Sequence, residues 1–174
     1  MQKELIVGGG CFWCTEAVFE CLRGVNDVES AYANGQTLNP KYQEICTGQT
    51  GHAEVIKITY EDSLIDTDTL LDIFFLVHNP TTLNQQGGDR GTQYRSTILY
   101  TDEETKILAE KAMHKAQDEY SNKIVTSIEK LECYYVAEKY HQDFYRLNPM
   151  QGYCMAVIPP KLLKLKEKFN KTIL

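Results

Sequence analysis

The sequence contains no apolar run near the roughly 18 residues that a membrane-spanning helix needs; its most apolar stretch, Leu70 to Val77, is far shorter. The N-terminus lacks the basic region and small-residue cleavage site of a secretory signal, so the expectation is a soluble, cytoplasmic protein. Basic residues are not in excess. Eighteen Lys and Arg face 24 Asp and Glu, a formal charge of −6, which argues against recruitment to nucleic acid or an anionic membrane by bulk electrostatics. No P-loop lysine follows a glycine turn, no glycine spacing fits dinucleotide binding, and none of the four histidines forms a zinc-type His-x(3–5)-His pair. Repeats, low-complexity tracts and linker-like breaks are also missing, so the 174 residues read as one domain, 1–174, with a single core.

Cysteine is plentiful. Six thiols, at 11, 14, 21, 46, 133 and 154, would suit a disulfide scaffold in a small exported chain, but without an export signal they are expected to be reduced. Cys11 follows Gly8-Gly9-Gly10 at the end of an apolar strand and opens an apolar helix. Unpaired N–H groups and the positive helix end there favour a thiolate, which marks Cys11 as a nucleophile with a lowered pKa. Cys11-Phe12-Trp13-Cys14 is a C-x-x-C of the kind found in redox sites, whereas a zinc site would want a second pair. Cys21 and Cys133 read as core, and Cys154 sits after Pro149-Met150-Gln151-Gly152-Tyr153, a flexible segment able to swing.

Strands are predicted at Lys3–Val7, Val25–Ala33, Ala53–Tyr60, Tyr94–Tyr100 and Val125–Tyr135, and helices after Cys11 and at Asp66–His78, Asp102–Asn122, Tyr140–Leu147 and Lys161–Lys171. The expected class is α+β, a two-layer α/β sandwich with helices on a mixed or antiparallel sheet, ferredoxin-like in type. The polar stretch Thr81 to Gln93 is long enough to be a functional loop. Residues 148–174 are expected to form a mobile C-terminal segment that carries Cys154 and a terminal helix.

Four motifs then carry a resemblance: Gly10-Cys11-Phe12-Trp13 with Glu16, Tyr42 leading into Cys46-Thr47-Gly48-Gln49-Thr50-Gly51-His52-Ala53-Glu54, Gly91-Thr92-Gln93-Tyr94-Arg95-Ser96, and Gly152-Tyr153-Cys154. In this order they resemble peptide methionine sulfoxide reductases of the A type, enzymes that restore one epimer of oxidised methionine. The resemblance implies an enzyme that reduces methionine S-sulfoxide, free or in proteins, with thioredoxin as reductant and no metal, flavin or nucleotide cofactor. It implies Cys11 as the nucleophile, Glu54 as the acid that protonates the sulfoxide oxygen, and Tyr42 and Tyr94 as hydrogen-bond donors to it. Phe12 and Trp13 would wall the S-methyl site, and Asp89 would hold the pocket and the substrate backbone. Cys154 would resolve the sulfenic acid, with Cys14 as the alternative. Asn79, Gln85 and Gly88 depart from the family's usual residues around the loop. A thiol-disulfide oxidoreductase using Cys11 and Cys14, and a zinc-stabilised binding module, are the competing interpretations.

Overall fold

The central strand of the sheet is β3 (Ala53–Glu61), flanked by β1 (Gln2–Gly8) on one side and β2 (Val25–Ala33) on the other, both antiparallel to it. The computed structural model describes residues 1–174. Helices α1 (Phe12–Phe19), α2 (Tyr42–Ile45) and α3 (Thr67–Val77) are followed by a two-stranded hairpin, β4 (Gln85–Gln86) with β5 (Asp89–Arg90). Then come β6 (Thr97–Tyr100), α4 (Glu103–Ala116), β7 (Ser127–Lys130), β8 (Tyr134–Val136), α5 (Phe144–Leu147) and α6 (Gly152–Phe169). The sheet order is β7-β6-β1-β3-β2-β8, antiparallel throughout except for the parallel β6–β7 edge. The fold is therefore α+β on a mixed sheet, and no helix is long and apolar enough to cross a membrane.

The period-two alternation of the strands explains the layering. Leu5, Val7, Ile56 and Ile58 point to the helical face and pack with Val18, Phe19, Leu70, Phe74 and Leu165 in the main core. Ile6, Ala31, Ala33, Ala53 and Val55 point to the other face, where Leu131 and Tyr134 form a thin cover. Small residues on that face let the β7–β8 connection lie close. Asp66 and Asp102 cap α3 and α4 by accepting from the N–H groups of Thr69 and Thr105, as first-turn Asp residues should.

Three elements differ from the sequence expectations. The expected strand Val125–Tyr135 is broken at Leu131–Cys133 into β7 and β8, which join opposite edges of the sheet. The loop Thr81 to Gln93 contains the β4–β5 hairpin and a 3₁₀ turn, Thr92–Tyr94. Helix α6 begins at Gly152 rather than Lys161 and runs through Pro159 and Pro160. Proline usually marks a helix start, but here burial of Cys154 and Ile158 against Cys14 and Ala17 of α1 outweighs the two lost backbone bonds. In the segment expected to be mobile, residues 148–174, Cys154, Ile158 and Leu165 are thus buried.

Candidate active site

Gly8 ends β1 so close to β3 that a Cβ on it would lie 2.8 Å from the Glu54 carbonyl oxygen, which places the following turn beside Glu54. Gly10 has φ +95°, and a Cβ there would meet Gln86 Cγ at 2.6 Å. Gln86 is itself pinned across the backbone of Asn79 by two 3.0 Å hydrogen bonds. Cys11 then takes the N-cap position of α1. The free helix N–H of Phe12 donates to Glu54 Oε1 at 3.2 Å, so a carboxyl from the central strand occupies the anion position of this helix start.

Glu54 is 2 % exposed, and burial pushes its pKa up to about 8 against the opposing bond from Phe12. Its carboxyl therefore keeps its proton at neutral pH. Tyr42 and Tyr94 approach it from α2 and the 3₁₀ turn, and burial pushes both phenols above their ordinary value, helped by the Glu54 charge. Cys11 also acts on Tyr94, so the structure brings Cys11, Glu54, Tyr42 and Tyr94 to one place. Tyr42 is anchored through its N–H to Glu138, 2.9 Å, and Glu138 also accepts from the Tyr32 hydroxyl at 2.9 Å.

The aromatic wall is built unevenly. Phe12 is fully buried between Tyr32 and His141, so its backbone serves the site more directly than its ring. Trp13 is half-buried and stacks on Phe144 with centroids 3.7 Å apart and an angle of 6°. Its Nε1 donates to Nδ1 of the fully buried His141 at 3.0 Å, and the His141 ring also lies 4.4 Å from Tyr42. His141 Nε2 is buried without a partner in the protein.

Cys11 does not have the lowered pKa that the glycine turn suggests. Its thiol is pushed well above the ordinary value, first by a hydrogen bond with Cys14, then by burial and the Glu54 charge. Cys14 is lowered in turn, chiefly by Cys11. The Trp13 N–H of the helix start still favours a Cys11 thiolate, but it is outweighed, and the Phe12 N–H beside it is taken by Glu54. Cys14 Sγ lies 3.7 Å from the Tyr153 hydroxyl, which donates to half-buried Asp89. Cys154, fully buried, shares an apolar cluster with Cys14, Ala17 and Ile158, and Cys11 packs against it. On the side away from Glu54, Cys11 and Cys14 border a cavity of about 630 Å³ whose other walls include Asn79, Gln86, Asp89 and Lys161.

The other cysteines are dispersed. Cys21 Sγ donates to the Val18 carbonyl at 3.0 Å and Cys133 Sγ to that of Gly35, while Cys46 is exposed. His52 ties the Gly35 N–H (3.0 Å) to the Thr37 carbonyl (2.7 Å), and Arg95 donates to the Thr92 carbonyl, so both brace loops. Glu16 is 1 % exposed; it accepts from Ser30 and from the Phe144 N–H, and burial pushes its pKa up to about 7. The single cluster of metal-type donors, Glu16, Glu20 and Asp143, includes no cysteine or histidine. His141 and Glu138 are absent from the sequence expectations, and Tyr153 appears there only within a motif, without a role; the first two act through partners more than 90 residues away and Tyr153 through Asp89, and no local pattern marks such contacts.

The sequence pattern of the family described as Peptide methionine sulfoxide reductase matches residues 3–173. The chain is 52% identical over 174 residues to the Peptide methionine sulfoxide reductase MsrA of Nautilia profundicola, covering 98% of this chain and 100% of that protein. Its fold is similar to the crystal structure of reduced Mxr1 from Saccharomyces cerevisiae, with TM-score 0.84, 35% identity, and 88% and 89% of the two chains covered. It is also similar to the crystal structure of Mxr1 in complex with Trx2, with TM-score 0.59, 26% identity, and 77% and 79% covered.

Proposed function

Because the chain belongs to the peptide methionine sulfoxide reductase family and is an oxidoreductase, we propose that its Cys11 pocket reduces methionine S-sulfoxide, free or in proteins, with thioredoxin as the reductant. The observation that carries this is the buried Glu54, its pKa raised to about 8 by burial, held by the Phe12 N–H at the start of α1 directly after Cys11. The Mxr1–Trx2 complex of the yeast relative supports the choice of reductant.

Sulfoxide sulfur is a poor electrophile until its oxygen gains a proton, and the site supplies that proton. Cys11 sulfur attacks the substrate sulfur while Glu54 gives its proton to the oxygen and the Tyr42 and Tyr94 hydroxyls donate hydrogen bonds to it. The Cys11 thiol proton returns to Glu54. The hydroxyl then passes from the substrate sulfur to the Cys11 sulfur: the substrate S–O bond and the newly made S–S bond break, a Cys11 S–O bond forms, and methionine leaves with Cys11 as a sulfenic acid. The substrate is reduced by two electrons and Cys11 is oxidised by two. Trp13, with Phe12 behind it, walls the S-methyl group, and Asp89, held by Tyr153, braces the rim. Cys154 ends the cycle as the thiol that carries the final intramolecular disulfide, uncovered by movement of residues 148–174, and thioredoxin opens that disulfide. No metal or organic cofactor enters any of these steps.

We also read the order β6-β1-β3-β2, crossed on one face by α1 and α3, as a ferredoxin-like core; the antiparallel pairing supports this. The test of function is methionine release from a methionine S-sulfoxide peptide by the reduced protein. Wild type releases methionine and Cys11→Ser releases none; equal release from both overturns the proposal.

A further inference from the structure

Cys154 is fully buried in the first turn of α6, behind α1, while Cys14 borders the same cavity as Cys11 and belongs to the same apolar cluster as Cys154. Cys11 is the N-cap of α1 and Cys14 the third residue of its first turn, with the Cys14 N–H on the Cys11 carbonyl at 3.1 Å. A disulfide closes across such a turn without unfolding the helix. The sequence of sulfurs through space is therefore Cys11, Cys14, Cys154.

Resting on the reaction proposed above, we propose that Cys14 is a relay thiol: it resolves the Cys11 sulfenic acid first and then passes the oxidation to Cys154. In the first exchange the Cys14 sulfur attacks the Cys11 sulfur, the S–O bond breaks, the hydroxyl leaves as water with the Cys14 proton, and a Cys11–Cys14 disulfide forms. In the second, the Cys154 thiolate attacks the Cys14 sulfur, the Cys11–Cys14 bond breaks, and Cys11 departs as a thiolate that takes up the Cys154 proton. The product is a Cys14–Cys154 disulfide with Cys11 reduced again, and no outside oxidant or reductant is consumed. Cys14 is the more acidic of the two coupled thiols, which suits the attacking role in the first exchange. Because Cys14 borders the open cavity, the final disulfide also has one sulfur on the side from which a dithiol approaches.

The consequence is stoichiometric. Once Cys11 is free, the enzyme attacks a second sulfoxide before any reductant arrives. Reduced enzyme mixed with excess methionine S-sulfoxide and no reductant should release about two methionines per chain, and mapping of alkylated peptides should find Cys14 joined to Cys154. Cys154→Ser should release about one methionine and accumulate the Cys11–Cys14 disulfide, and Cys14→Ser should lose about a hundredfold in disulfide formation, leaving a sulfenic acid that dimedone labels. A burst of one methionine with a Cys11–Cys154 disulfide in wild type overturns the relay. So does unchanged disulfide formation in Cys14→Ser. The wild-type map decides the question even if a variant fails to fold. Methionine release by Cys11→Ser would instead sink the reaction itself, so the two failures are distinguishable.

Discussion

Trp13 Nε1 donates to His141 Nδ1, so the one tryptophan of the chain is held from behind by an imidazole whose Nδ1 must carry no proton. Burial lowers the pKa of His141 and keeps it neutral, and its proton therefore sits on Nε2. The bond fixes the indole on Phe144 and places the His141 ring against Tyr42, so Trp13 and Tyr42 share a support.

His141→Leu should free the indole and raise KM for a sulfoxide peptide about tenfold with a smaller effect on kcat, the scale of one lost buried hydrogen bond. His141→Asn places an acceptor near the former Nδ1 and should recover most of the loss. Trp13 fluorescence gives an independent readout. Its emission should shift to the red in the Leu variant and return in the Asn variant; no shift in either would sink the positioning role.

Glu54→Gln should slow methionine formation in a single turnover by about a hundredfold or more, the usual scale for a lost general acid. Wild-type rate should fall as pH rises through about 8, where Glu54 gives up its proton. The Gln variant should lack that limb, so the gap between the two narrows above about pH 8. A rate unchanged by the substitution would remove Glu54 from the mechanism.

The same carboxyl should cost stability on the alkaline side. Its native pKa, about 8, lies above the ordinary 4.5, so the unfolded chain releases its proton first. Stability is fully present below about 4.5 and falls as pH rises towards about 8. Glu16, raised to about 7, adds a loss of the same sign over the lower part of that window. Glu54→Gln should therefore unfold at a higher temperature than wild type at pH 8, with a smaller difference at pH 5. Parallel melting curves across that range would contradict the assignment.

Tyr153→Phe removes the hydroxyl that joins Asp89 to Cys14. It should lower stability by about 1–3 kcal/mol in urea unfolding, the range for a hydrogen bond to a charged partner, and raise KM for peptide substrates as the β4–β5 hairpin loosens. Asp89→Asn keeps an acceptor and should lose less. Equal effects of the two substitutions would mean that charge, not the tether, holds the hairpin.

Much of this was legible from local pattern. Val25–Ala33 is a strand end to end, Asp66 caps α3, and Gly8-Gly9-Gly10 delivers Cys11 to a helix start, because alternation, capping and glycine turns are encoded by neighbouring residues. Cys11, Glu54, Tyr42 and Tyr94 could be grouped from the resemblance, and the Glu54 charge acts on the other three. What could not be read is what depends on distant packing. The Glu54 carboxyl caps a helix 42 residues away, and the Cys14 thiol, burial and the Glu54 charge together reverse the expected acidity of Cys11. His141 and Tyr153 gain their partners through tertiary structure alone. The start of α6 was hidden by Pro159 and Pro160, whose ordinary meaning is a helix boundary.

Those prolines also divide α6 mechanically. Without their N–H groups the carbonyls of Met155 and Ala156 lose helical partners, and half of the four backbone bonds that would tie the first turns to the rest are absent. Both rings are exposed, so water can satisfy the freed carbonyls. Beyond them, the far end is fastened: Arg23 N–H reaches the Thr172 carbonyl at 2.7 Å, and Leu174 N–H reaches that of Cys21 at 2.9 Å. The helix is thus clamped at one end and scored near the other, with the bonds that tie the Cys154 turn to the Leu165 half reduced to two.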